Sequence, residues 1–326
     1  MTDLPLVVLT NRTFDDTRAL FSGRARIIAN HLETPWPADV LLAHASIADA
    51  LMAFMPDCID AAFLDSCPRL RVIGAALKGF DNIDVEAATA RGVTVTIVPD
   101  LLTRPTAELA VGLTIALGRH ILAGDTAIRR GGFNGWRPEY YGLGLAGSTV
   151  GVVGYGRVGQ AIARCLSGFG CRVLACDANW NPSVPDDAER VTMDVLTGSA
   201  DILILGMPLT PATQGIVGHA FLRSMKAGAL LINPARGSLV DEAAVADALE
   251  GGHLGGYAAD VFACEDWARG DRPGEIESRL LSMTTKTVLT PHLGSAVVES
   301  RRAIEYSAAD SILRVLAGEK PETALA

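Results

Sequence analysis

Cysteine is scarce and scattered. The six, Cys58, Cys67, Cys165, Cys171, Cys176 and Cys264, form no CxxC pair and no Cys/His spacing of a zinc site. That excludes a zinc module and a dithiol redox motif, and leaves small apolar side chains in a reducing compartment. Cations are also in the minority, with 28 Lys and Arg against 37 Asp and Glu. The resulting net charge of −9 opposes a general grip on a phosphate backbone or an anionic membrane, so the expected partner is a small molecule, not nucleic acid or a membrane. Long apolar runs are missing too. The longest strongly apolar stretch, Leu109 to Gly118, ends at Arg119, and is only half the roughly 20 residues of a membrane span. The first ten residues hold Asp3 and no Lys or Arg, the wrong charge pattern for a secretory signal, so a cytoplasmic protein is expected.

What is present reads as alternating strands and helices. Short apolar runs bounded by turns occur at Leu6–Leu9, Val72–Leu77, Val93–Val98, Val150–Val153, Arg172–Cys176, Ile202–Leu205, Leu230–Ile232, Gly256–Val261 and Thr287–Leu289. Amphipathic stretches lie between and around them, at Glu86–Ala90, Ala107–His120, Gln160–Ser167, Glu242–Leu249 and Val297–Leu316. Uninterrupted apolar strands alternating with helices are the pattern of parallel sheets covered on both faces. A chain of 326 residues exceeds what one core usually organises, so two α/β domains are expected.

The run Thr149-Val-Gly-Val-Val-Gly154-Tyr-Gly156-Arg-Val-Gly159-Gln160 reads as a strand entering a GxGxxG turn and leaving as a helix. Its glycines allow a tight turn, close approach of backbone to a pyrophosphate, and close helix–strand packing. The helix N-terminus adds free N–H groups and a positive dipole end. A bare GxGxxG is weak evidence, but the next strand ends in Asp177, where a carboxylate can accept both ribose hydroxyls of NAD and repels a 2′-phosphate. The cofactor expected is therefore NAD. Arg157 is a possible pyrophosphate contact or an ordinary surface arginine.

The loop begins near residue 150, so an earlier α/β unit precedes it. The expected fold class is α/β with two doubly wound parallel-sheet domains. One is an inserted Rossmann NAD domain over 102–295, the other a flavodoxin-like substrate domain from 1–101 and 296–326. The helices Ala107–His120 and Val297–Leu316 read as the crossings between them.

Three further signals follow cofactor-domain strands, at the edge where open α/β sheets place ligands. They are Asn233-Pro-Ala-Arg236-Gly-Ser, Asp260-Val-Phe-Ala-Cys-Glu265 and Thr290-Pro-His292-Leu-Gly-Ser295. Each alone is more often a turn or a structural residue. Together they offer a cation for an anionic substrate, an acid/base, and a carboxylate to orient it.

The glycine loop with these three motifs resembles the D-2-hydroxyacid dehydrogenases, over most of residues 50–317. The resemblance implies that Arg236 binds a substrate carboxylate, His292 is the acid/base and Glu265 pairs with it. It also implies cofactor contacts at Thr106, Gly154, Gly156, Arg157, Val158, Gly159, Asp177, Pro208, Ala235, Asp260 and His292, with Asp260 near the nicotinamide amide. A homodimer is implied as well, through the apolar face of Ala107–His120 and the Trp136–Tyr141 loop.

Within that family the loop receiving the substrate usually reads a small residue, then Gly and Asp-Asn. Here it reads Ala76-Leu77-Lys78-Gly79-Phe80-Asp81-Asn82, and a lysine there places a full charge beside an anion. This segment, Met52-Ala-Phe-Met55-Pro-Asp57, Trp136 with Tyr140-Tyr141-Gly, and Glu265-Asp-Trp267-Ala-Arg269 look like the phosphite dehydrogenase branch. By that resemblance Lys78, Gly79, Met55, Arg236 and Arg301 form the substrate site, and the reaction expected is NAD-dependent oxidation of phosphite with water as nucleophile. Asp177 stands where that branch has Glu, and Ala235 where it has Cys beside the arginine. The alternatives are a glyoxylate or hydroxypyruvate reductase, which needs the same Arg236, Glu265 and His292, and a non-catalytic NAD-sensing corepressor, which does not need them.

Overall fold

The computed structural model describes residues 4–98, 100–131, 133–181, 187–267 and 269–325. Asp3 and Ala268, used in the sequence reading, lie outside them. The chain divides into two compact units, Met1–Leu102 with Trp267–Gly270 and Ala296–Ala326, and Thr103–Asp266 with Asp271–Ser295. The expected division at 101/102 and 295/296 puts Leu102 and Trp267–Gly270 in the cofactor domain, whereas both group with the first unit. Leu102 packs on a core cluster of that unit. No periodicity in the sequence marks Trp267–Gly270 as part of the first unit.

The first unit begins with β1 (Leu6–Leu9), α1 (Asp15–Ala19), β2 (Arg26–Ala29), α2 (Ala38–Ala45), β3 (Ala50–Ala53), α3 (Ala61–Asp65), β4 (Val72–Ala75), α4 (Val85–Ala90) and β5 (Thr94–Thr96). The second runs through α5 (Thr103–Gly118), α6 (Ile121–Arg129), β6 (Thr149–Val153), α7 (Arg157–Leu166), β7 (Arg172–Cys176), β8 (Glu189–Arg190), α8 (Met193–Ser199) and β9 (Ile202–Leu205). It continues with α9 (His219–Ser224), β10 (Leu230–Asn233), α10 (Glu242–Glu250), β11 (Gly256–Ala259), α11 (Ser278–Ser282) and β12 (Thr287–Leu289). The chain then returns to the first unit as α12 (Val298–Leu316) and β13 (Ala324–Leu325).

In the first unit the strand order is β13-β5-β4-β3-β1-β2, parallel except for β13. The order reverses between β1 and β3, so the crevice for ligands opens beyond Leu9 and Ala53. In the second unit seven parallel strands run β12-β11-β10-β9-β6-β7-β8, reversing between β6 and β9. Alternate side chains of β9 explain its unbroken apolar run, since Ile202 and Ile204 join one buried cluster and Leu203 and Leu205 the other. A strand buried on both faces has no polar side to show.

Several strands lie outside the expected runs, among them the fully buried β3 and the short β8 and β13; two further departures have physical reasons. The long helix expected to reach His120 ends at Gly118, where a side chain would meet the carbonyl of Leu143 at 2.9 Å, and His120 then turns left-handed with φ 52°. Strand β2 lies outside the expected runs: as an edge strand it leaves Arg26 and Ile27 exposed, and its apolar residues, Ile27 to Ala29, make only a three-residue run behind Arg26. No single helix among the described residues is long and apolar enough to cross a membrane; α5 and α6 reach that length only as a pair bent by 61°.

Candidate active site

The glycine turn sits at the reversal of the second unit's sheet. Gly154 follows β6 with φ +92°, and a Cβ there would lie 2.6 Å from the backbone nitrogen of Met207, just past β9. A Cβ on Gly159 would lie 2.1 Å from the carbonyl oxygen of Gly154, so helix α7 packs against the loop as closely as backbones allow. Around Gly156 a Cβ would meet nothing within 4 Å. Two glycines therefore satisfy the fold, and the third keeps open a space at the N-terminus of a ten-residue helix. These residues fit a dinucleotide pyrophosphate.

The register Val153 opposite Cys176 sets Asp177 beside the turn. One Asp177 oxygen accepts the Tyr155 N–H at 2.5 Å and the other the Asn179 N–H at 2.7 Å. The carboxylate expected to receive ribose hydroxyls thus also holds the glycine loop. Arg157 and Pro208 are exposed, Val158 half-buried. The Tyr155 ring stacks on Trp180, 4.9 Å between centroids, a pairing the sequence did not announce.

Arg236, Glu265 and His292 follow β10, β11 and β12 in turn. The Arg236 turn is shaped by Asn233, whose side chain donates to the Arg236 carbonyl at 2.9 Å and accepts the Ala235 N–H at 3.1 Å. Arg236 Nη1 donates to the Ala235 carbonyl at 2.8 Å. Glu265 closes a short 3-10 turn, Ala263–Glu265; its Oε1 accepts the Phe262 N–H at 2.9 Å and its Oε2 lies 3.0 Å from His292 Nδ1. An ionised carboxylate only accepts, so Nδ1 carries the proton and Nε2 is left to exchange one. Both side chains keep a little over a quarter of their surface exposed, at 28% for His292 and 27% for Glu265.

His292 has φ 55°, a costly conformation for a residue with a side chain. Asp260 enforces it. This buried carboxylate accepts from the Thr290 hydroxyl at 2.6 Å, the Leu293 N–H at 2.7 Å and the Gly294 N–H at 2.8 Å. Burial pushes its pKa up against those hydrogen bonds. Thr106, expected as a cofactor contact, donates to the Gly294 carbonyl at 3.3 Å. Asp260 and Thr106 therefore tie down the turn that bears the histidine.

In the first unit, Met55 and the Lys78–Gly79 segment lie in the loops after β3 and β4, all half-buried. Arg301, on α12, reaches the Ala76 carbonyl at 3.4 Å and lies 5.6 Å over the Phe54 ring. Burial lowers its pKa, opposed by Glu305. Sequence reasoning missed the polar knot beneath these loops. Asp57 Oδ2 accepts from the Thr10 hydroxyl at 2.5 Å and from the Phe54 N–H at 2.7 Å, while Asn82 donates to the carbonyls of Phe54 at 3.1 Å and Asp57 at 2.7 Å. Both residues stood inside quoted motifs, but nothing in a linear motif says that a side chain faces inward.

Among the described residues no group of His, Cys, Asp or Glu is placed to hold a metal. A family profile, D-isomer specific 2-hydroxyacid dehydrogenase, NAD binding domain, matches residues 111–294. The chain is 36% identical over 292 residues to a glyoxylate reductase of Thermococcus litoralis, covering 87% of this chain and 86% of that one. It is 36% identical over 319 residues to a D-3-phosphoglycerate dehydrogenase of Mycobacterium tuberculosis, covering 97% of this chain but 58% of that longer one. A solved structure of a Thermus thermophilus protein superposes with a TM-score of 0.88 at 34% identity, covering 98% of this chain and all of that one. The fold, the glycine turn and these likenesses agree, and the chain belongs to the D-isomer specific 2-hydroxyacid dehydrogenases, NAD-dependent oxidoreductases.

Proposed function

We propose that the protein reduces a small 2-oxo acid of the glyoxylate class to the 2-hydroxy acid. The observation that carries this reading over phosphite oxidation is the likeness to glyoxylate reductases, at 36% identity across 87% of the chain. Bound NADH supplies a hydride to the carbonyl carbon. His292 gives the proton from Nε2 to the carbonyl oxygen while Glu265 holds Nδ1 and stabilises the charged ring. Arg236 pairs with the substrate carboxylate through its planar fork. Gly154, Gly156 and Gly159 seat the pyrophosphate, and Asp177 takes the ribose hydroxyls.

Oxidation of phosphite is the second reading, favoured by Lys78 in its loop and by the motifs around Met55 and Trp136. A second full charge suits a doubly charged anion better than a monocarboxylate. His292 would then take a proton from the attacking water.

The test is one assay in two directions at neutral pH, NADH with glyoxylate or hydroxypyruvate and NAD with phosphite, each followed by nicotinamide absorbance. Saturable oxidation of NADH by the oxo acids supports the proposal. Turnover with phosphite alone overturns it in favour of the second reading. Tight NADH binding with no turnover in either direction overturns both in favour of an NAD-sensing protein.

A further inference from the structure

Glu242 opens helix α10, a position where an acidic side chain ordinarily sits in water and complements the helix dipole. Here it is buried, with 8% of its surface exposed. Each oxygen meets a backbone N–H far along the chain, Oε1 that of Ala263 at 2.9 Å and Oε2 that of Glu277 at 3.0 Å. The cap of α10 is already supplied by Asp241, which accepts from Ala243 and Ala244 at 3.1 Å. Glu242 is therefore not needed to start its own helix.

A buried carboxylate is costly to desolvate, and apolar packing often stabilises as well. What it provides is a fixed, directional hold. Ala263 is the first residue of the 3-10 turn that ends at Glu265. On its other side this turn lies against Gly237, where a Cβ would come within 1.9 Å of the Phe262 carbonyl carbon and 2.2 Å of the Ala263 nitrogen. Just beyond Glu265, Asp266 accepts the Ser238 N–H at 2.7 Å. The turn is thus held by Glu242 at its start, by Asp266 past its end, and by backbone contact with the Arg236 turn. The thiol between the held residues senses the same crowd: burial first, then Glu242 and Glu265, push the pKa of Cys264 up.

We propose that Glu242 is a positioning residue that, by holding the Ala263 N–H, fixes the turn that aims Glu265 at His292. The proposal rests on the reading of Glu265 and His292 as the orienting carboxylate and acid/base. Glu242, buried and bonded to the backbone of Ala263 and Glu277, acts through Glu265.

Two variants separate geometry from charge. Glu242→Gln keeps the length but places an amide N–H₂ against one of the two N–H donors, and Glu242→Asp keeps the charge on an arm one methylene too short. The readout is the proton NMR resonance of the His292 Nδ1–H, assigned by its loss in His292→Gln and observed with NADH bound. A carboxylate-bonded imidazole N–H resonates far downfield and exchanges slowly with water. The expected result is that this signal moves upfield and exchanges faster in both Glu242 variants, with kcat falling on the order of ten- to a hundredfold and the KM for NADH unchanged. The signal should change no further when either variant is added to Glu265→Gln, as expected of residues acting in one chain of contacts.

A signal that is unchanged in Glu242→Asp, or further changes in the Glu265→Gln background, overturns the proposal and makes Glu242 a structural or purely electrostatic residue. A wild-type signal unaffected by Glu265→Gln instead overturns the underlying acid/base reading. Should Glu242→Gln fail to fold, Glu242→Asp carries the test alone, with NADH binding as the control for folding.

Discussion

His292 Nδ1 stands 3.0 Å from Glu265 Oε2, and the other oxygen of that carboxylate is anchored by the Phe262 N–H at 2.9 Å. The imidazole is thereby fixed in one tautomer, with Nε2 available for proton exchange. His292→Ala should lower kcat on the order of a hundred- to ten-thousandfold and leave NADH binding within about twofold, because the glycine turn does not depend on the ring. Stopped-flow turnover with fluorescence titration of NADH checks both. Residual activity within tenfold of wild type would remove His292 from the proton transfer.

Two glycines of the turn should respond differently. Gly159→Ala puts a methyl 2.1 Å from a backbone oxygen that cannot move without the sheet, whereas Gly156→Ala meets nothing within 4 Å. The first is expected to unfold at a clearly lower temperature. The second should melt with wild type yet bind NADH at least about tenfold more weakly, because the methyl fills the approach to the pyrophosphate. Thermal melts and NADH titrations of both variants decide it. A Gly156→Ala protein with unchanged affinity would place the pyrophosphate elsewhere.

The sequence showed the architecture best where burial on both faces leaves a continuous apolar run, as in β9, and where a turn needs glycine, as at Gly154. It missed β2, an edge strand whose apolar run is three residues behind Arg26, and β3, whose Ala50-Leu-Met-Ala53 lacks β-branched residues although it is buried on both faces. Among site residues, Arg236, Glu265 and His292 could be named from their places after successive strands. Asp57, Asn82, Glu242 and Asp266 could not be given a role, because their partners are backbone groups of other loops. Glu242 in the first turn of a helix looks like any acid that favours the dipole. Only its burial and its bonds to Ala263 and Glu277 separate it from one.

Asp177 holds the Tyr155 N–H, and we propose that the same carboxylate takes the ribose hydroxyls and sets cofactor choice. Asp177→Ala should raise the KM for NAD at least about tenfold and narrow the preference over NADP, since the charge that repels a 2′-phosphate is gone. Steady-state kinetics with each cofactor measure the ratio. A preference that survives intact would move discrimination to another residue.

Apolar side chains crowd the 121–141 segment, with Trp136 81%, Tyr141 74%, Phe133 64% and Ile128 52% exposed. We propose that a second copy of the chain covers them, since so many large apolar side chains exposed in one segment mark an association surface. Sedimentation should return twice the 34.2 kDa of one chain, and Trp136→Glu with Tyr141→Glu should return the single mass. A wild-type protein sedimenting as one chain at micromolar concentration would contradict the assembly.

Burial pushes the Asp57 carboxyl from 3.8 to about 6, against the Thr10 and Phe54 hydrogen bonds that favour its charge. The folded state therefore holds this proton more tightly than the unfolded chain, and between pH 4 and 6 it binds more protons. Stability from this group is fully present below about pH 4 and declines by about 3 kcal/mol as pH rises through 6. Asp57→Asn removes that dependence. Its side-chain oxygen can accept both existing donors, because Thr10 and Phe54 already share one oxygen, Oδ2. Urea unfolding of the two proteins at pH 4.5, 5.5 and 7.5 isolates the Asp57 contribution, since other titrating carboxylates such as Asp260 and Glu305 cancel in the difference. The variant should gain on wild type as pH rises and be the more stable protein at pH 7.5. A difference that stays constant across the three pH values would mean that Asp57 is already ionised throughout, held by charge and not by a proton.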